Sequence, residues 1–336
     1  MHVAFIHVNK ESGVQAAVES AMNLAHIENV KLGSKVFVKV NLSSDRKVPS
    51  QNTSPWVLEG VLKKLNDLGY SDILVGDSDT TSSNVEKASS LWGFKRLCHN
   101  YKAKFVNLTR EKTVKVDVGG DILKEFFLPE PLLSADSIVT VPVIKTHQIT
   151  SITCSLKNQW GCLPTFRHRY HLVVDKAIVE INKFLKPKFA IADATICMEG
   201  SGPRTGKPRI CNGIFASQDL VALDSAASRF IGLNPEEVHH IKLAHLEGLG
   251  SMNFDIVGDD FFSLTLLPPT RNIVGVTEFS ARKSMWSKLI FGTPLLHIFT
   301  WGARMYNRYW WYFLKGKHYT KVVLKNSWYK DEFQNV

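Results

Sequence analysis

The chain lacks most of the features that name a chemistry outright. Its five cysteines, Cys98, Cys154, Cys162, Cys197 and Cys211, are odd in number and scattered, which argues against a disulfide framework and fits a reducing compartment. None forms the C-x2-C-x2-C run of a ferredoxin-type cluster, and Cys154 and Cys162, eight apart, read most simply as two small buried residues. The opening MHVAFIHVNKESG has neither the basic start nor the long apolar run of a secretory signal, so the main body is expected in the cytoplasm. There is no G-x-S-x-G elbow, no Walker loop and no dinucleotide glycine fingerprint, and hence no sequence case for a serine nucleophile or a nucleotide. Nor is there a nucleic-acid-binding motif behind the net charge of +10. That charge is local. Residues 281–336 hold ten Lys or Arg against two acids, so eight of the ten surplus charges sit in the C-terminal stretch and nucleic acid is not an expected partner of the body.

What the chain does have is length and apolar content, 336 residues at 44% hydrophobic, enough for one large core. Runs of Val, Ile and Phe alternate with helix-length segments, the pattern of an α/β protein whose largely parallel sheet is covered on both faces. Strands are expected at 3–7, 36–40, 73–75, 104–107, 137–141, 189–192, 214–216 and 262–266, with helices at 13–26, 55–68, 84–97, 150–161, 172–184, 220–231 and 235–247. The run from Val114 to Leu128, turning at Gly119–Gly120, predicts a small antiparallel insertion. Pro268–Pro269 marks a boundary, dividing an α/β domain of residues 1–270 from an aromatic, basic extension of 271–336 that carries five of the eight tryptophans.

Polar residues punctuate the strand ends: His7, Lys39 and Asn41, Asp77 and Ser78, Lys145 and His147, and Asp193. In a parallel sheet those ends share one edge, where open α/β folds hold their ligands. The densest cluster, PVIKTHQITSITCSLKNQWGCLP at 142–164, nominates His147 as acid/base or ligand, Lys145 and Lys157 as counter-charges to an anion, and Asn158 as its orienting group. Thr53-Ser54-Pro55 and Thr80–Ser83 look like helix starts, whose free N–H groups suit an anion near Lys39. The loop Met198–Pro208 adds Gly200, Gly202 and Arg204 as ligand-binding candidates, because glycine admits a close backbone approach. A metal, if held, would take Asp77, Asp193 and His171, the last from the cationic loop at 165–171. Asp219 reads as a helix cap, with Asp224 one turn further in.

These motifs resemble the uncharacterised family catalogued as domain of unknown function 362. The likeness covers roughly residues 35–255: KVNL at Lys39–Leu42, TSP at Thr53–Pro55, PVIKTH, SLKNQWG, His171, GSGPRTGKP, ASQDLVALD and IGLNP, all in order. It implies no defined activity or cofactor. Some members carry a ferredoxin-like cysteine module that this chain lacks. The strand-end pattern is also similar in style to the amino-terminal domain of nickel-dependent lactate racemases.

The extension contains LIFGTPLLHIFTWGARMYNRYWWYFL at Leu289–Leu314, whose uncharged run is too short and too interrupted to span a bilayer. Aromatic residues mixed with Arg and Lys suit an anionic membrane surface, here the inner face, or contact with the body or a second subunit. The expectation is an α/β protein that binds, and could act on, an anionic small molecule, with or without a metal; the alternative is a non-catalytic, membrane-docked binding or redox/iron–sulfur accessory.

Overall fold

The computed structural model describes residues 1–81, 83–164, 167–325 and 327–334, and among these described residues twelve strands form. They are β1 (His2–His7), β2 (Lys35–Val40), β3 (Asp72–Asp77), β4 (Lys104–Asn107), β5 (Thr113–Asp117), β6 (Glu125–Pro129), β7 (Ser137–Val141), β8 (Val143–His147), β9 (Ser151–Thr153), β10 (Phe189–Glu199), β11 (Lys207–Ser217) and β12 (Asp255–Gly258). β5 and β6 pair antiparallel as the expected insertion. The other ten make one mixed, mostly parallel sheet in the order β12-β1-β11-β10-β7-β2-β3-β4, with β8 alongside β10 and β9 hairpinned onto β8.

Alternation along β2 shows why helices cover both faces. Phe37 joins one core with residues of the helices Val174–Leu185 and Leu220–Phe230, while Val36, Val38 and Val40 join another with residues of Gly13–Leu24 and Pro55–Asp67. β2, β3, β7 and β10 run parallel, so their carboxyl ends reach the same edge. That edge carries the site.

Four expectations need correction. The helix expected over 235–247 is a 3-10 turn, Pro235–Glu237, and a separate helix, His239–Leu246, parted at Val238, whose backbone is extended. The helix expected over 150–161 is instead the β8–β9 hairpin followed by a short helix, Ser155–Asn158, and a 3-10 turn, Gln159–Cys162. Pro142 has no N–H to give, so β7 stops there, but its carbonyl accepts from Asp193 and the chain resumes against β10 as β8. The helix expected over 84–97 is two, Val85–Leu91 and Phe94–Asn100, broken where Gly93 adopts φ +69°. The segment 262–266 is no strand; the edge partner of β1 is β12, formed just before it.

The extension folds as helices Ile273–Lys283, Ser287–Gly292 and Leu295–Met305, a π-helical stretch Tyr306–Gly316, and helices Lys317–Lys325 and Tyr329–Gln334. Its far end is anchored in the body. Tyr329 is fully buried, stacks on Trp56 with ring centres 5.5 Å apart, and donates its hydroxyl to Asn212 Oδ1 at 2.9 Å. Phe333 meets Trp92 edge-on at 5.5 Å. Upstream of these anchors Arg308 reaches Asp45 at 3.4 Å and Arg46 lies 4.8 Å from the Tyr312 ring centre, tying the extension to the loop after β2.

Candidate functional site

The floor of the site is a buried ion pair. Lys39, near the end of β2, holds Asp77 Oδ1, at the end of β3, at 2.8 Å and donates to Val40 O at 2.6 Å. The Asp77 carboxylate also accepts the N–H groups of Leu42 (2.7 Å) and Ser78 (2.8 Å), so its charge is shared by the two strand ends. Gly161 lies against this pair: a Cβ there would overlap the Asp77 carboxylate and stand 2.6 Å from Lys39 Nζ. Asn158 ties neighbouring strands together, its Nδ2 donating to Lys39 O and Thr140 Oγ1, both at 2.9 Å. The short helix that carries Lys157 and Asn158 is itself held by Asp224, which accepts from Ser155 N, Ser155 Oγ and Leu156 N. Burial raises the Asp224 carboxyl to about 6.

Lys145 rises from β8 with all three ammonium hydrogens assigned: to Asn41 Oδ1 at 2.6 Å, Gln51 O at 2.8 Å and Ser43 Oγ at 3.2 Å. Burial, and then the nearby positive charge of Arg204, pull it down to about 7, with Asp77 opposing. Lys157 differs. It is 9% exposed and lines the same cavity, yet its amine has no hydrogen-bond or ion-pair partner among the described residues. Burial pulls it down to about 8, against the more distant attraction of Asp175 and Glu278.

His147 has a defined role in this setting. Its Nδ1 accepts the backbone N–H of Ile149 (3.1 Å) and of Thr150 (3.2 Å), which assigns the ring proton to Nε2. Burial, with Lys157 and His171 nearby, keeps the ring neutral, so it offers the cavity an N–H donor rather than a base or a ligating nitrogen. Arg167 is turned inward, its guanidinium donating to Ser78 Oγ (2.6 Å) and Leu163 O (2.7 Å). His171 Nδ1 meets Glu278 Oε1 of the extension at 2.6 Å; burial pushes the Glu278 carboxyl up, but His171 together with the positive charges of Arg282 and Lys157 holds it below its usual range.

Of the residues nominated from sequence, Lys145, His147, Lys157, Asn158, Asn41, Asp77, His171 and Arg204 line a single cavity of about 570 Å³. Lys39 lies beneath it. Ser54 and Asp193 are absent from its lining: Ser54 N donates to Asp193 Oδ2 at 2.8 Å, so the anion at this helix start is the chain's own carboxylate. Gly200 and Gly202 serve the protein's own packing. A Cβ on Gly202 would collide with the Thr146 carbonyl, and Thr146 Oγ1 donates to Gly200 O at 2.9 Å. Asp77, Asp193 and His171 keep separate partners, and among the described residues no three His, Cys, Asp or Glu side chains group as a metal site. His7 is exposed and bonds Asp259 through its backbone N–H, away from the cavity. All five cysteines are buried free thiols, with Cys162 pushed up to about 12 by burial. Of the helix start at Thr80–Ser83, Ser82 lies outside the described residues, as do Thr165 and Phe166 of the cationic loop.

The sequence did not reveal the roof. Ile290, Phe291, Leu296, Phe299, Ala303 and Tyr306 of the extension complete the lining of the cavity. Asp224 escaped as a positioning group too, because the segment it caps lies 69 residues away.

The model of the family described as Domain of unknown function (DUF362) matches residues 36–229. A thylakoid-associated protein of Synechocystis sp. is 26% identical over 219 residues, 62% of this chain and 66% of its own length. Among solved structures, the lactate racemase apoprotein of Thermoanaerobacterium thermosaccharolyticum aligns at TM-score 0.40 and 14% identity, over 73% of this chain and 56% of that one. A Thermotoga maritima protein aligns at TM-score 0.34 and 13% identity, over 55% and 51%. The chain thus spans just under two thirds of the curated relative and little more than half of each solved neighbour. The family match covers more than half of the chain and runs through every floor residue from Lys39 to Asp224, leaving only the roof outside it, and the protein belongs to the domain of unknown function 362 family.

Proposed function

We propose that the protein binds an anionic small molecule in the cavity at the carboxyl edge of its sheet. The observation that carries this reading is Lys157, a largely buried lysine with no partner among the described residues, in a cavity also lined by the Arg167 guanidinium and by His147, whose ring proton is on Nε2, with the charge of Lys145 nearby. An anion would supply the charge that Lys157 lacks, with Asn158 and His147 fixing its orientation. Amines that titrate near 7 and near 8 can also hold or release a proton beside a bound ligand, which suits acid/base work. The test is calorimetric titration with inorganic phosphate, methyl phosphate and acetate. Saturable binding of at least one, lost in Lys157→Met with the fold intact, supports the reading; equal affinity in the variant refutes it.

A second reading concerns location. Trp286, Trp301, Trp310 and Phe313 are each more than half exposed on the extension that carries the cationic surplus, a composition suited to an anionic bilayer surface. Each cation near such a surface is worth about 1 kcal/mol. Among the described residues no helix is long and apolar enough to cross a membrane, so docking would be peripheral, and the Synechocystis relative is thylakoid-associated. Co-sedimentation with phosphatidylglycerol vesicles but not phosphatidylcholine vesicles, reduced in Trp301→Ser/Trp310→Ser, is the expected result. Recovery of wild type and variant to the same extent removes this reading.

A further inference from the structure

We propose that the ligand is an anionic amphiphile: a phosphate or carboxylate head on a single alkyl chain, with the head on the cationic floor and the chain under the extension. This rests on the anion-binding reading and names its ligand class. The cavity lining is of two kinds. From the α/β body come Lys145, Lys157 and Arg167, and the carboxylates that share the lining, Asp77 and Glu278, are already paired with Lys39 and His171. From the extension come Ile290, Phe291, Leu296, Phe299 and Ala303. Phe291 and Leu296 are each 4% exposed and join Ala281 and Leu172 in an apolar cluster separate from the two sheet cores.

A small hydrated anion would use the cations alone and gain nothing from the apolar part of the lining. An alkyl chain makes that part a binding surface, and about 570 Å³ is within the usual range for ligands larger than a bare anion. The roof is also the part with its own fixings, His171–Glu278 at its start and Tyr329 on Trp56 at its end, so the apolar wall is held over the floor. Sites that pair a few convergent charges with an apolar wall sort ligands by chain as well as by head group.

The experiment is titration of the full-length chain with methyl, hexyl and dodecyl phosphate, and with acetate and dodecanoate, below their micelle concentrations, with dodecanol as the uncharged control. Each buried methylene is worth about 0.8 kcal/mol, so affinity should rise about fourfold per carbon until the chain fills the cavity. Ala303→Trp places an indole in the chain's space and should flatten the series, with an unchanged circular dichroism spectrum and melting temperature showing that the variant is folded; a series as steep as that of wild type overturns the placement of the chain. A flat series in the wild type, with methyl phosphate bound, overturns the amphiphile and leaves the anion site standing. Dodecanol binding as tightly as dodecyl phosphate overturns the role of the head group. Absence of binding by every head group overturns both proposals.

Discussion

Replacing Lys157 by Met should make the unliganded protein more stable, and the gain should shrink as pH rises. The amine is 9% exposed, has no hydrogen bond among the described residues, and is lowered from 10.5 to about 8, mainly by burial. At about 1.4 kcal/mol per unit, the folded state carries a penalty of about 3 kcal/mol below pH 8. Methionine keeps the length of the stem and fills the same space without charge, as in buried ion clusters that tolerate apolar replacement. Between about pH 8 and 10.4 the unfolded chain binds the Lys157 proton and the folded chain does not, so wild-type stability rises with pH through that window. The penalty therefore falls from about 3 kcal/mol at pH 6.5 to about 1 kcal/mol at pH 9.5. For a chain this long, a gain of 1–3 kcal/mol raises the melting temperature by about 2–4 °C. Differential scanning calorimetry of both proteins at the two pH values gives the comparison, with all other titrating groups in common. A variant less stable than wild type at pH 6.5, or a gap that does not narrow by pH 9.5, would refute the reasoning. The expected pattern, stability gained and binding lost, is what a residue kept for function gives.

Other substitutions test the supports of the site. Asp77→Asn leaves Lys39 charged, buried and uncompensated and should cost about 3–5 kcal/mol in urea unfolding, far more than a surface ion pair. Gly161→Ala forces a methyl against Asp77 and Lys39; a loss of about 1–3 kcal/mol is expected, and an unchanged midpoint contradicts the close fit. Tyr329→Ala removes the buried ring that anchors the far end of the extension and should cost about 3–5 kcal/mol of the anchor's packing. Limited proteolysis should then cut between residues 300 and 328 in the variant before the body, and an unchanged digestion pattern contradicts the anchoring role.

The floor of the site was legible because a parallel sheet turns separated sequence positions into neighbours. Lys39, Asp77 and Lys145 each follow an apolar run, and parallel pairing of β2 with β3 and β7, and of β8 with β10, delivers those ends to one edge. Lys157 and Asn158 stood out as polar residues in a segment otherwise destined for burial. The misassigned residues share a physical cause. Ser54, Gly200 and Gly202 have the chemistry of ligand contacts, but the same chemistry serves internal partners: the Asp193 carboxylate for Ser54 N, and the Thr146 carbonyl for Gly202. Local sequence does not say which partner arrives. The β8–β9 hairpin hid because Val143–His147 was read as a strand end, while its ladder partners Asp193 and Met198 lie about 50 residues on. The roof hid for a related reason: exposed and cavity-facing aromatics of the extension look alike until Tyr329 and Phe333 are seen fixed on Trp56 and Trp92.

The central claim is that this cavity holds an anion on Lys157. Native mass spectrometry of gently purified wild type and Lys157→Met, followed by identification of any released ligand, tests it most directly. The account predicts a stoichiometric anionic molecule on the wild type that is missing from a well-folded variant. The same anionic molecule retained at the same occupancy by both proteins would contradict it.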